Sequence, residues 1–121
     1  MAKLYVLDLV SVTITPAGDE TRSGIELEGA YSRPFTIERN WSGPVGYYFE
    51  QVVVKQDDEV VFESEPRQVF VRGLQSQTTY TDTVDQRIRL KPGPCQIAFL
   101  IDGELMAYTE VEAFTLTPAG A

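Results

Sequence analysis

"CQIAFLIDGELMAYTEV", residues 95–111, decides the fold class of this chain. Cys95, Ile97, Phe99 and Ile101 share one parity, the signature of a half-buried strand. Asp102-Gly103 then separates two β runs, and such a dipeptide is a strong hairpin signal because both central residues of a type I′ turn take positive φ. Upstream, "KPGP" at 91–94 is a sharp turn that no helix or central strand accommodates. Before it, "VDQRIRL" at 84–90 sets Val84, Ile88 and Leu90 against Asp85, Arg87 and Arg89. "QDDE" at 56–59 joins "YYFEQVVVK" to "VVFES" as a second, looser hairpin.

The same period of two runs through nearly the whole chain. No window shows the apolar spacing of a helix, and strand formers dominate. About eight short strands with Gly/Pro turns predict a single antiparallel β-sandwich over residues 1–121, without substantial helix and without a linker.

Two strands break their own alternation. In "LYVLDLVSVTI", residues 4–14, Tyr5, Leu7 and Leu9 have one parity, and Val10, Val12 and Ile14 the other. A one-residue slip flips every side chain, so a bulge near Asp8–Val10 reunites them on one face. The same reasoning over 47–54 puts a bulge near Glu50-Gln51, with Tyr47 and Phe49 inside and Tyr48 and Val53 outside.

The segment "IRLKPGPCQIAFLIDGELMAY", 88–108, resembles the last three strands of small bacterial immunoglobulin-like or fibronectin type III-like sandwich domains. The resemblance lies in the C-terminal third and implies an immunoglobulin-like topology, in which a first strand often switches sheets midway. It transfers no site. The cysteine pair of antibody domains is missing, and Trp41 precedes a Gly/Pro break instead of lying in a core strand.

Composition narrows function mainly by exclusion. The formal charge of −8 and sequence pI of about 4.4 repel phosphate backbones and anionic lipid, arguing against nucleic-acid partners and membrane insertion. No histidine is present, which removes the usual general base and the commonest metal ligand. The one cysteine, Cys95, forms neither an intramolecular disulfide nor a thiolate zinc site, and its parity makes it a small buried hydrophobe. The eighteen carboxylates show no pair set apart for acid–base work, so neither catalytic residues nor cofactors are expected. Asp57, Asp58 and Glu59, and likewise Asp82 and Asp85, cluster without the spacing of a calcium loop, and read as turn chemistry. Asp8 interrupts the apolar start, and no stretch is long enough for a membrane helix, so a cytoplasmic chain is expected, or one exported without a cleaved signal.

What remains are surfaces. "NWSGPVGYYFE", 40–50, holds the sole tryptophan and three consecutive aromatics. Trp41 is read into a loop with Tyr31 and Phe35, where it caps the sandwich, meets a protein partner or stacks a sugar. Arg87, Arg89 and Lys91 form a basic ladder, either docking an acidic partner or pairing with Glu59, Glu63 or Glu65. "TITPAG" at 13–18 recurs as "TLTPAG" at 115–120, a cheap strand exit or a mark of head-to-tail assembly. The expected function is therefore a non-enzymatic interaction or structural module, self-associating or bound to another protein, with Trp41, Tyr48, Val53, Arg87 and Arg89 as contacts. The alternative is a small carbohydrate-binding module using aromatics near 41–48.

Overall fold

The computed structural model describes residues 7–73 and 77–116, and within them the chain forms ten strands and no helix. In order they are β1 (Asp8–Pro16), β2 (Ile25–Glu28), β3 (Tyr31–Ser32), β4 (Phe35–Ser42) and β5 (Gly46–Gln56). β6 (Glu59–Glu63), β7 (Arg67–Val71), β8 (Thr78–Val84), β9 (Gly93–Ile101) and β10 (Glu104–Thr115) follow. The expected all-β class holds. One sheet has the order β1-β4-β8; the other runs β3-β2-β10-β9-β5-β6, with β7 also paired to β5.

The hairpins form where local chemistry dictates. Asp102 and Gly103 take φ of 51° and 84° between β9 and β10, and Asp57 and Asp58 take 52° and 63° between β5 and β6. The β1 bulge also lies where the parity change placed it, since the register against β4 shifts between Leu9 and Ser11. Leu7, Leu9, Val12 and Ile14 thereby reach the core, whereas Val10, at the bulge itself, is exposed and Tyr5 lies outside the described residues.

Four expectations are corrected. The large sheet is mixed and not wholly antiparallel, because β2 runs parallel to β10, and it curls into a half-barrel. The crossing between sheets comes after Pro16, not within β1. Gly24 makes it feasible: φ is 113°, its N–H donates to the Ile14 carbonyl at 2.8 Å, and a Cβ there would stand 2.5 Å from the Glu112 carbonyl oxygen. Residues 84–90 are not one strand. β8 stops at Val84, and the alternation of Ile88 and Leu90 is kept by bonds to the β3 region, Ile88 exchanging with Ser32 and Leu90 donating to Ala30.

The fourth correction bears on the site. β5 pairs with β9 from Glu50 to Lys55 without a register shift, so no bulge lies at Glu50-Gln51. Tyr48, Glu50, Val52, Val54 and Gln56 face inward, whereas Tyr47 and Phe49 are exposed. The inside and outside assignments of the three consecutive aromatics are therefore the reverse of those expected. A bulge does occur on this strand, at Val54/Lys55 against β6. Of the repeated hexapeptide, the first copy closes β1, while residues 117–120 lie outside the described residues.

The core fills the space between the sheets, with Ile14, Phe35, Ile37 and Trp41 on one side and Val54, Ile97, Phe99 and Ile101 on the other. Trp41 meets Phe99 edge-on, with ring centroids 6.1 Å apart and planes at 83°. Cys95 is buried as its parity requires, and desolvation, then Glu112 and Glu110, push its thiol up to about 11. No helix among the described residues is long and apolar enough to cross a membrane.

Candidate functional site

Two features stand out against this core: a buried charge network between the sheets and an apolar face outside them. The network begins with inward parity. Phe35, Ile37, Arg39 and Trp41 alternate toward the core on β4, and Glu50 does so on β5. Arg39 and Glu50 are each 1% exposed. The Arg39 Nε donates to Glu50 Oε2 at 2.9 Å, Nη2 donates to Oε1, and Nη1 donates to the Ile37 carbonyl at 3.3 Å. Trp41 Nε1 donates to Glu50 Oε2 at 2.8 Å. Arg39 Nη1 also lies 2.6 Å from Asp82 Oδ2 on β8, whose other oxygen takes Arg67 of β7.

Each charged group is therefore matched. Burial alone would lower the Arg39 pKa, but hydrogen bonds and the fields of Glu50 and Asp82 outweigh it and raise the value. Such a pair contributes specificity more surely than stability, since desolvation offsets most of its attraction. Here it clips one sheet to the other, from β4 to β5. Tyr80 extends the clip: its hydroxyl accepts from the Phe70 N–H at 2.7 Å and donates to the Phe70 carbonyl at 3.2 Å.

Beside this network a cavity of about 310 Å³ opens between β8 and the β6–β7 side. Arg39, Glu50 and Val52 form part of its lining, with Arg67 and Asp82 further along. Glu50 and Asp82 spend their oxygens on Arg39, Trp41 and Arg67, while Glu65 and Asp85 also line the cavity. Among the described residues no group of three or more acidic, cysteine or histidine side chains is placed to hold a metal ion.

The residues nominated from sequence are scattered. Trp41 is 0% exposed inside β4, not in a loop, because its inward position and its bond to Glu50 hold it there; Phe35 opens the same strand and is also buried. Tyr48 points inward, half-buried, and its hydroxyl donates to the Pro44 carbonyl at 2.7 Å. Val53 does lie on the outer parity but is only 7% exposed, paired in register with Ala98 and Glu63. The basic ladder pairs elsewhere than expected: Arg87 lies 3.6 Å from Glu28 and over the Tyr31 ring, and Lys91 is 2.7 Å from Asp57. Arg89 is exposed opposite Tyr31. Trp41, Tyr48, Arg87 and Arg89 thus do not share a surface with Val53.

What sequence reasoning missed is the outer face of the large sheet. Its register gives three rows across β5, β9 and β10: Gln51–Leu100–Leu105, Val53–Ala98–Tyr108 and Lys55–Gln96–Glu110. Tyr47 and Phe49 continue the β5 column, and Tyr47 packs on Phe70 of β7 with ring centroids 4.9 Å apart. Tyr47 is 68% exposed and Tyr108 65%, with Phe49, Phe70 and Leu105 also exposed. Exposed apolar side chains from three strands on one face are more than scattered exposure.

No family model matches the chain, and no curated protein matches it. Solved structures do. A β-glucosidase from Listeria innocua, in complex with isofagomine, superposes with a TM-score of 0.52 at 15% identity over 90% of this chain. The alkylpurine DNA glycosylase AlkC of Pseudomonas fluorescens, bound to DNA containing an abasic site analog, gives 0.54 at 15% over 88%. The chain spans 16% of the glucosidase and 30% of the glycosylase, and at this identity the likeness is one of fold alone.

Proposed function

We propose that this chain is a non-enzymatic protein-interaction module that docks through the outer face of its large sheet. The observation carrying this reading is the exposure of Tyr47, Phe49, Phe70, Leu105 and Tyr108, from β5, β7 and β10, on one side of the sheet. Aromatic side chains supply large contact area at small entropic cost and dominate docking energetics. The engagement of Glu50 and Asp82 by Arg39, Trp41 and Arg67 fits a structural role for these two carboxylates.

The reading includes an immunoglobulin-like arrangement. The order β1-β4-β8 corresponds to strands A-B-E, and β10-β9-β5-β6 to G-F-C-C′. The carbohydrate alternative is weaker. Trp41 is unavailable for stacking, and the Tyr47 and Phe70 rings are tilted by 52° instead of forming a flat shelf.

The test is site-specific photocrosslinking in the cells that make the protein, with the crosslinking residue at position 47, 108 or 13. Positions 47 and 108 should each give one adduct of defined mass, and Thr13, exposed on the small sheet, should give none. No adduct at 47 and 108, or equal labelling from 13, would overturn the proposal.

A further inference from the structure

We infer that the occupant of this face is a second copy of the same chain, packed sheet to sheet about a two-fold axis along β9. The inference rests on the docking face proposed above and adds the partner and its geometry. Its support is a self-complementary pattern of side chains. A two-fold axis in the contact plane along the central strand exchanges β5 with β10 and leaves β9 facing itself. Applied to the three rows, it makes specific pairs.

In the row Lys55–Gln96–Glu110, Lys55 lies opposite Glu110 of the second copy, and Gln96 opposite Gln96. The operation gives two such ion pairs, one on each side of the axis. Among the described residues, neither Lys55 nor Glu110 has an ion pair within its own chain. Both border one depression together with Gln96, with Asp57 and Asp58 of the β5–β6 turn also in its lining. In the row Val53–Ala98–Tyr108, the exposed Tyr108 ring lies over Val53 of the other copy, beside the small Ala98. In the row Gln51–Leu100–Leu105, Leu100 meets Leu100 and Leu105 meets Gln51.

Sheets that pack face to face lie about 10 Å apart and cross by about 30°, which keeps rows near the central strand in contact. An axis across the strands would instead turn Lys55 toward the Tyr47 end and leave Glu110 unmatched. Charge also favours the axis along β9. A chain of net charge −8 repels its copy, so a contact between copies needs a face low in charge whose remaining charges are opposed in sign. The three rows across β5, β9 and β10 contain one lysine and one glutamate, with Glu63 of β6 continuing the Val53 row at its edge, and this axis brings Lys55 and Glu110 together.

The experiment is light scattering of the purified chain from roughly 1 µM to 1 mM, the range in which a contact of this kind is measurable. The mass should rise toward twice 13.5 kDa. K55E and E110K should each weaken the dimer by roughly tenfold, because each turns two attractions into two repulsions. Mixed in equal amounts, the two variants should form a heterodimer tighter than either homodimer, and the double variant K55E/E110K should recover the parent affinity. Recovery on mixing cannot come from a folding defect, and K55Q with E110Q, expected to weaken the dimer less, guards against one. A wild-type monomer at every concentration overturns the inference, as does a dimer indifferent to these changes or a mixture no tighter than its components. An adduct from position 47 or 108 to a different protein would overturn the second copy while leaving the docking face in place.

Discussion

On the inner face of β5, Glu50 carries a charge into the core; on the outer face of the same strand, Tyr47 and Phe49 hold aromatic rings in solvent. Glu50 is tolerated because Arg39 and Trp41 were placed by β4 to receive both its oxygens. Tyr47 has no such enclosure, only Phe70 beside it. The contrast teaches that polarity does not assign a face. A residue's partners do, and they come from strands distant in sequence.

The largest expected effect breaks the inner face. Glu50→Ala leaves Arg39 with Asp82 as its one carboxylate partner and leaves the Trp41 N–H without an acceptor, and should cost about 3–5 kcal/mol in urea unfolding. Replacing the pair together, as Arg39→Met with Glu50→Leu, should cost far less, since no charge is then stranded. If the double change were as damaging as the single one, the network would be contributing stability by itself. Next in size is Trp41→Phe, which removes one hydrogen bond to a buried carboxylate and should cost about 2 kcal/mol in the same assay.

These residues also show how far the sequence could be read. The β9–β10 hairpin, the β5–β6 turn and the β1 bulge were legible because each is set within a few residues, by positive-φ turn chemistry or by a switch of parity. The parity of β5 was misread because an inward glutamate looked like a break in the pattern. Once Glu50 is accepted as inward, alternation from Tyr48 to Gln56 is unbroken and no bulge is needed. A signal did exist. Arg39 sits on the apolar parity of "FTIERNW" and Glu50 on that of "YYFEQVVV", and opposite charges at two inward positions suggest a buried pair. Trp41 was misplaced because the Ser-Gly-Pro after it suggested a loop, whereas β4 extends to Ser42. The outer face escaped entirely, since it depends on the order of β7, β5, β9 and β10 in the sheet.

A smaller effect distinguishes burial by apolar neighbours from burial by a charge partner. The Arg39 value is raised, so its contribution is lost only above an already very basic pKa and leaves no mark near neutrality. Cys95 titrates within reach. Its thiol is raised from 9.0 to about 11, so the stability it contributes is present below pH 9 and lost as pH rises through about 11. Cys95→Ala should flatten this part of the stability profile by on the order of 1 kcal/mol, a figure reduced for solvent screening. Superimposable profiles for the parent and the variant would place the thiol in a wetter environment than its neighbours suggest.

The smallest effect on folding should come from the outer face. Tyr47→Ser and Tyr108→Ser remove rings that are mostly in solvent, so each should change unfolding free energy by no more than about 0.5 kcal/mol in the monomer. Their effect on association should be large, because an aromatic at the centre of a contact is where binding energy concentrates. Tyr108→Ser should weaken the dimer more than Tyr47→Ser, since the axis along β9 sets Tyr108 over Val53 but leaves Tyr47 near the rim. Stability measured below the association range, set beside mass measured above it, separates the two roles. Were Tyr108→Ser to destabilise the monomer as Glu50→Ala does, its ring would be serving its own sheet, and the difference between the faces of this sheet would collapse.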